Sequence, residues 1–239
     1  MYEMRTVDIQ GSPMEVMCAM PEGDGPFPGV VVAQHLPIAH TGLENDPFTI
    51  DVAERLAAAG YASVTPWVFH WWDKDEDIAV KREEFRDDRA VADMNAGFDM
   101  LARSSRVDAD RIGVIGHCWG GRISWLHACH NPNYKALVTL YGGRIKLPMG
   151  EGSIPPIDLC GRIACPVMGI FGNEDQNPSP EDVTDLDAAL TKAGVPHEFH
   201  QYDGAGHGFQ DFCNDERYRK EAAEDAWSKL LAFLDDKLR

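Results

Sequence analysis

A cysteine set between glycines is the feature of this sequence best suited to covalent chemistry. Gly116-His117-Cys118-Trp119-Gly120-Gly121 follows the Gly-x-nucleophile-x-Gly pattern, with cysteine where serine is more common. Both glycines are needed because the nucleophile sits on a sharp, strained strand-to-helix turn, where added side chains collide with neighbouring backbone. A helix starting just after Cys118 turns its positive end toward the sulfur and favours thiolate. An acid and a histidine follow in the required order. His207 lies in Asp203-Gly204-Ala205-Gly206-His207-Gly208-Phe209 and is the expected base. Asp175 is the expected orienting acid, with Glu174 beside it as the rival; Asp175 falls at the expected loop position after a strand. The chemistry that residues of these types in this order could do is acyl transfer through cysteine.

The positions of these residues depend on alternating strands and helices. Val30-Val31-Val32-Ala33, bounded by Pro28-Gly29 and Pro37, reads as a buried strand. Residues 51–59 read as a helix stopped by Gly60, and 61–65 as a strand closed by Pro66. A long helix is expected over 88–103, a buried strand over 111–115, a helix from 119 to about 130, and a strand over 136–141. Residues 167–171 form the next expected strand. Ser179 then suits a helix N-cap, with Pro180 in the first turn, Asp182 at the capping-box position and Gly194 at the stop. A strand over 199–202 and an amphipathic helix over 221–238 complete the series. This alternation implies one α/β domain over residues 1–239, a mainly parallel sheet with helices on both faces. The nucleophile, acid and histidine all fall at strand carboxyl ends, where sites in open α/β sheets form.

Composition narrows the partners. The 239 residues are 44% hydrophobic and 26% charged, ordinary for a folded soluble chain. No apolar run approaches the roughly 18 residues of a membrane span, and the first residues do not read as a secretion signal, so the expected location is cytoplasmic. With 22 Lys and Arg against 39 Asp and Glu, the formal charge is −17. That argues against nucleic acid and anionic membrane as partners, and an anionic substrate would need local arginines to hold it. The six cysteines include no Cys-x-x-Cys pair, and most read as small core residues.

The motif residues, together with Asp51-Val52-Ala53-Glu54-Arg55-Leu56-Ala57-Ala58-Ala59-Gly60-Tyr61, resemble the dienelactone hydrolase family, cysteine members of the α/β-hydrolase fold. The likeness covers nearly the whole chain. It implies a hydrolase of a small ester or lactone, with Cys118 as nucleophile, His207 as base, Asp175 as acid and no cofactor. Two features depart from the family. Its founding enzymes carry Gln-Glu at the end of the first buried strand, where this chain has Gln34-His35. They also hold the substrate carboxylate with arginines, one of them four residues after the catalytic histidine, where this chain has Asp211. Another is expected after Pro66, where it has Trp67-Val68-Phe69-His70-Trp71-Trp72. The resemblance therefore carries over the catalytic machinery but not these specificity residues.

His35-Leu36 is similar to the His-Gly element before the oxyanion hole of many esterases of this fold. The N–H groups of Leu36 and Trp119 are the natural oxyanion donors. His35 has two open roles: a partner for the thiolate, or a loop-fixing hydrogen-bonder. Phe69, His70 and Trp71 are candidates for lining the substrate pocket, with core packing as the alternative. The cluster His127-Ala128-Cys129-His130 and the pair His197 and His200 point to different faces, so no metal site is expected. Asp73-Lys74-Asp75-Glu76-Asp77 and residues 81–89 read as solvated charge. Gly142-Gly143 lacks the rest of a nucleotide-binding fingerprint. Two other readings compete with cysteine-dependent hydrolysis: a non-hydrolytic relative binding a small hydrophobic ligand, and a metal-dependent lactonase. The oligomeric state is not legible in the sequence.

Overall fold

The computed structural model describes all residues, Met1–Arg239. Strands β1 (Tyr2–Ile9) and β2 (Ser12–Ala19) form a hairpin, followed by β3 (Phe27–Ala33), the short helix α1 (Ile38–Thr41), α2 (Pro47–Ala58) and β4 (Ala62–Pro66). Next come α3 (Ile78–Glu83), α4 (Asp87–Ala102), β5 (Val107–His117), α5 (Trp119–Ala128) and β6 (Leu137–Leu140). A 3-10 turn over Pro156–Arg162 leads to β7 (Val167–Gly172), α6 (Pro180–Ala193), β8 (His197–Tyr202) and α7 (Lys220–Leu238). All eight strands lie in one sheet, ordered β1-β2-β4-β3-β5-β6-β7-β8. Strands β4, β3, β5, β6, β7 and β8 are parallel to one another, and the hairpin is antiparallel at one edge.

Side chains alternate along the buried strands and build a core on each face. Val31, Ala33 and Val114 pack with Ala90, Met94 and Leu101 of α4, Ile123 of α5 and Leu186 of α6. Val30, Val32 and Ile115 face the other way, toward Val52 and Leu56 of α2 and Trp227, Leu230 and Leu234 of α7. This is the expected parallel sheet sandwiched by helices.

Helix ends follow their local chemistry. The Ser179 side chain accepts from the Asp182 N–H and the Asp182 side chain from that of Ser179, a complete capping box, and α6 stops at Gly194 in the left-handed conformation. Helix α2 begins four residues before the expected 51, because Asp46 caps the Thr49 N–H and Pro47 fills the first position. Strand β5 is longer than 111–115 because it runs through the polar Asp108 and Asp110, which interrupt the hydrophobic signal.

Residues 81–89 are not all solvated. Lys81 is fully buried, its ammonium donating to the carbonyls of Ala39 and Lys74 at 2.6 and 2.8 Å. Asp87 is buried as well, taking two hydrogen bonds from Arg122 of α5 (2.6 and 3.1 Å) and one from the Met149 N–H (3.0 Å). Arg122 also donates to the carbonyls of Arg144 and Leu147. One internal ion pair thus pins the loop after β6 against α4 and α5. No helix is long and apolar enough to cross a membrane.

Candidate active site

The turn at Cys118 is as tight as its glycines imply. Cys118 has φ 57° and ψ −117°, a strained backbone for a residue with a side chain. Its N–H donates to the Leu140 carbonyl at 3.0 Å, and its carbonyl accepts from the Gly121 N–H at 3.0 Å. A Cβ on Gly120 would lie 2.0 Å from the Ala33 carbonyl oxygen, and one on Gly116 2.0 Å from that of Gly120. Strand β3, the end of β5 and the start of α5 therefore touch backbone to backbone, which fixes the sulfur at the rim of the sheet.

The acid and the base arrive on two loops laced together. The Asn173 N–H donates to Tyr202 and the Glu174 N–H to Ala205, joining the segment after β7 to the one after β8. Glu174 faces solvent, while Asp175 is 2% exposed. His207 Nδ1 lies 2.8 Å from Asp175 Oδ2, and His207 Nε2 lies 3.0 Å from Cys118 Sγ. Asp175 Oδ1 also accepts from the Asn177 N–H at 2.8 Å. The three side chains, 32 and 89 residues apart along the chain, form one hydrogen-bonded line.

That line polarises the thiol. Burial works against a charged Cys118, but the His207 hydrogen bond and charge, the Leu36 N–H and the charge of His35 outweigh it and hold the pKa below the ordinary thiol value. Burial also works against a charged His207, yet Asp175 and the Cys118 thiolate raise its pKa well above the usual imidazole range. The other thiols go the opposite way: burial pushes Cys18, Cys160 and Cys213 up to about 11 and Cys165 to about 12. Leu36 directs its N–H at the sulfur, and Trp119 opens α5, where the first N–H groups have no intrahelical acceptor. Two donors thus lie next to the nucleophile.

The remaining sequence candidates divide. His35 is buried, its Nε2 2.9 Å from Asp46 Oδ2 and its Nδ1 4.0 Å from Asp211 Oδ2. It fixes the capped end of α2 through Asp46 and makes no hydrogen bond to the Cys118 sulfur. His70 is a correction. Its side chain has no exposed surface, and its ring nitrogens are occupied by Ser12 (2.8 Å) and Asp93 (2.9 Å), so it knots the loop to the hairpin and α4 and cannot meet a substrate. The Trp71 indole donates to the same Asp93 at 3.0 Å, and its ring lies under Arg89; its polar group is likewise committed to structure. Phe69 is wholly buried behind Phe85, which meets the Trp119 ring edge-on at 5.2 Å. Phe69 thus packs behind Phe85, which in turn packs on Trp119.

Several residues around the site carried little sequence signal. Tyr141, at φ 41°, sets its ring 5.4 Å from that of His207; only its place at a strand end marked it. Phe85 and Asp87 were hidden in a charged run, and Asp46 was detectable as an N-cap before proline. His127 bonds Tyr134 and Asn95 at 2.9 Å each, and His130 bonds the Leu126 carbonyl, which makes both structural residues.

Comparison with known proteins agrees with this architecture. A protein of Escherichia coli strain K12, named for carboxymethylenebutenolidase activity, is 31% identical over 241 residues, covering 96% of this chain and 84% of the relative. One of Methylorubrum extorquens strain AM1 with the same name is 29% identical, covering 94% and 77%. A crystal structure from Klebsiella pneumoniae, described as a dienelactone hydrolase, superposes with a TM-score of 0.84 at 30% identity and covers 98% of each chain. The sequence profile of the dienelactone hydrolase family matches residues 14–238. With nearly its full length matched and its fold shared, the chain belongs to the dienelactone hydrolase family of α/β hydrolases.

Proposed function

We propose that the protein hydrolyses a small ester or lactone through a thioacyl intermediate on Cys118. The observation that carries this reading is the unbroken line from Asp175 through His207 to the Cys118 sulfur, 2.8 and 3.0 Å per link, with a backbone N–H beside the sulfur. The Cys118 thiolate attacks the carbonyl carbon, and the Leu36 and Trp119 N–H groups hold the resulting oxyanion. As the tetrahedral adduct collapses, the C–O bond breaks and His207 Nε2–H gives its proton to the departing alkoxide or enolate. Neutral His207, oriented by Asp175, then takes a proton from water as the water oxygen attacks the thioester. The acid product leaves, and the thiolate–imidazolium pair is restored.

Thiolate is itself a good leaving group, so the first adduct of a simple alkyl ester partitions back to substrate. Activated esters and lactones, whose leaving oxygen is more stable, are the favoured class. The relatives named for carboxymethylenebutenolidase activity support a lactone within it. The test is to assay wild type and Cys118→Ala on phenyl esters and an unsaturated lactone, with mass spectrometry of the quenched wild-type reaction. The expected result is an acyl adduct on Cys118 and loss of turnover in the variant. Undiminished hydrolysis by Cys118→Ala overturns the reading.

A further inference from the structure

Behind the nucleophile, two buried side chains carry polar atoms that find no partner in the protein. His117 is the last residue of β5 and the immediate neighbour of Cys118. Its side chain points the same way as that of Ile115, into the layer built with α2 and α7. There its ring meets Phe48 of α2 edge-on at 5.1 Å and stands 6.1 Å from that of Tyr141. Gln210 follows His207 on the loop that carries the base. His117 is 1% exposed and Gln210 6%, yet His117 Nδ1 and Gln210 Oε1 join no hydrogen bond within the chain. A buried polar group left unpaired forfeits the bonds it had in water, a cost that native folds rarely leave standing.

Both side chains line one cavity of about 40 Å³, with Phe48 and Trp227 among its walls. A water needs about 10–15 Å³ and about two to four polar partners. The charges around the cavity favour a neutral occupant. Burial, then His35 and Arg55, push the His117 pKa down to about 3. The ring is therefore uncharged, with one N–H to give and one lone pair to accept. The Gln210 amide also gives and accepts. Arg55 lies over the Trp227 ring at 4.1 Å and 3.6 Å from the Asp51 carboxylate. Glu224 is exposed, with Lys220 at 3.8 Å.

We propose that a buried water bound to the His117 imidazole and the Gln210 amide couples the nucleophile turn to the histidine loop. His117 and Gln210 are then positioning residues for the Cys118–His207 pair. Cys118 and His207 are seated on separate segments, and the bridge gives the two a common reference behind the rim. A water joint sets the resting nitrogen–sulfur distance without locking it.

Two measurements test this, and neither needs turnover, so their outcome stands apart from the hydrolase reading. In a high-resolution crystal structure of the wild type, a water is expected within about 3.2 Å of both side chains. Iodoacetamide alkylation of Cys118 is then followed against pH in wild type, His117→Phe, Gln210→Leu, the double variant and His117→Asn. Phenylalanine keeps a ring against Phe48 but removes the polar atoms, whereas asparagine keeps one in the place of Nδ1. Each apolar single variant strands the other partner. It should slow alkylation about three- to tenfold below the wild-type thiol pKa and move the profile to higher pH. Because both side chains act through one water, the double variant should be no slower than the slower single variant. His117→Asn should keep most of the wild-type rate. Slowing that multiplies in the double variant, or a profile unmoved in both single variants, overturns the proposal. So does a wild-type crystal structure with no water in reach of both side chains; that arm needs no variant and decides alone if the variants fail to fold.

Discussion

Replacing His207 by glutamine tests what holds Cys118 as an anion. Glutamine keeps a hydrogen-bonding side chain of similar reach and removes the charge. With Nε2 and Sγ 3.0 Å apart, an imidazolium and a thiolate attract by about 5.5 kcal/mol at an effective dielectric constant of about 20. That is worth about four pKa units. The protein lowers the thiol pKa in spite of burial, which opposes the anion. Without the imidazolium, burial prevails and only the Leu36 N–H, His35 and the α5 terminus remain against it. The Cys118 pKa is therefore expected to move from below the ordinary thiol value to above it. The sign is fixed: a lowered pKa keeps the thiolate as pH falls, so wild type continues to alkylate at lower pH than His207→Gln does. The assay is thiolate ultraviolet absorbance against pH, taken as the difference from Cys118→Ala so that the other five cysteines cancel. Wild type and His207→Gln titrating within about half a unit of each other would refute the electrostatic argument.

Two stability predictions test the frame around the site. Asp87→Ala leaves the Arg122 guanidinium buried without its carboxylate and should cost about 3–5 kcal/mol in urea unfolding; a loss under about 1 kcal/mol would mean that the loop relaxes to let in water. Asp46→Ala removes the α2 cap and should cost about 1–2 kcal/mol, while Asp46→Asn, also a good capping residue, should recover most of it. Equal losses in the two variants would shift the weight from the cap to the His35 pair.

The parallel sheet was legible because its strands are buried on both faces and read as short β-branched runs, as in Val30-Val31-Val32, between glycine and proline. The line from Cys118 to His207 and Asp175 was legible because turn chemistry and chain order both constrain it. Less visible was anything decided by contact across the chain. The β1–β2 hairpin was missed: half of it lies exposed at the sheet edge, with a mixed burial pattern. Asp87 and Lys81 look solvated in a charged run, since nothing local announces that Arg122 or the Ala39 and Lys74 carbonyls will enclose them. The aromatic stretch after Pro66 looked like a pocket, but Asp93, 23 residues beyond His70, draws its polar groups inward.

The lacing of the segments after β7 and β8 has a mechanical consequence. Asp175 and His207 ride on one stitched unit, while Cys118 is seated on another, against β3 and α5. Any breathing of the rim therefore divides the three groups as two plus one. The carboxylate and the imidazole travel together, and the gap opens between nitrogen and sulfur. That is the link chemistry itself must interrupt each time an acyl group occupies the sulfur, so the fold leaves compliance where the cycle needs it and stiffness where the proton carrier must keep its bearing.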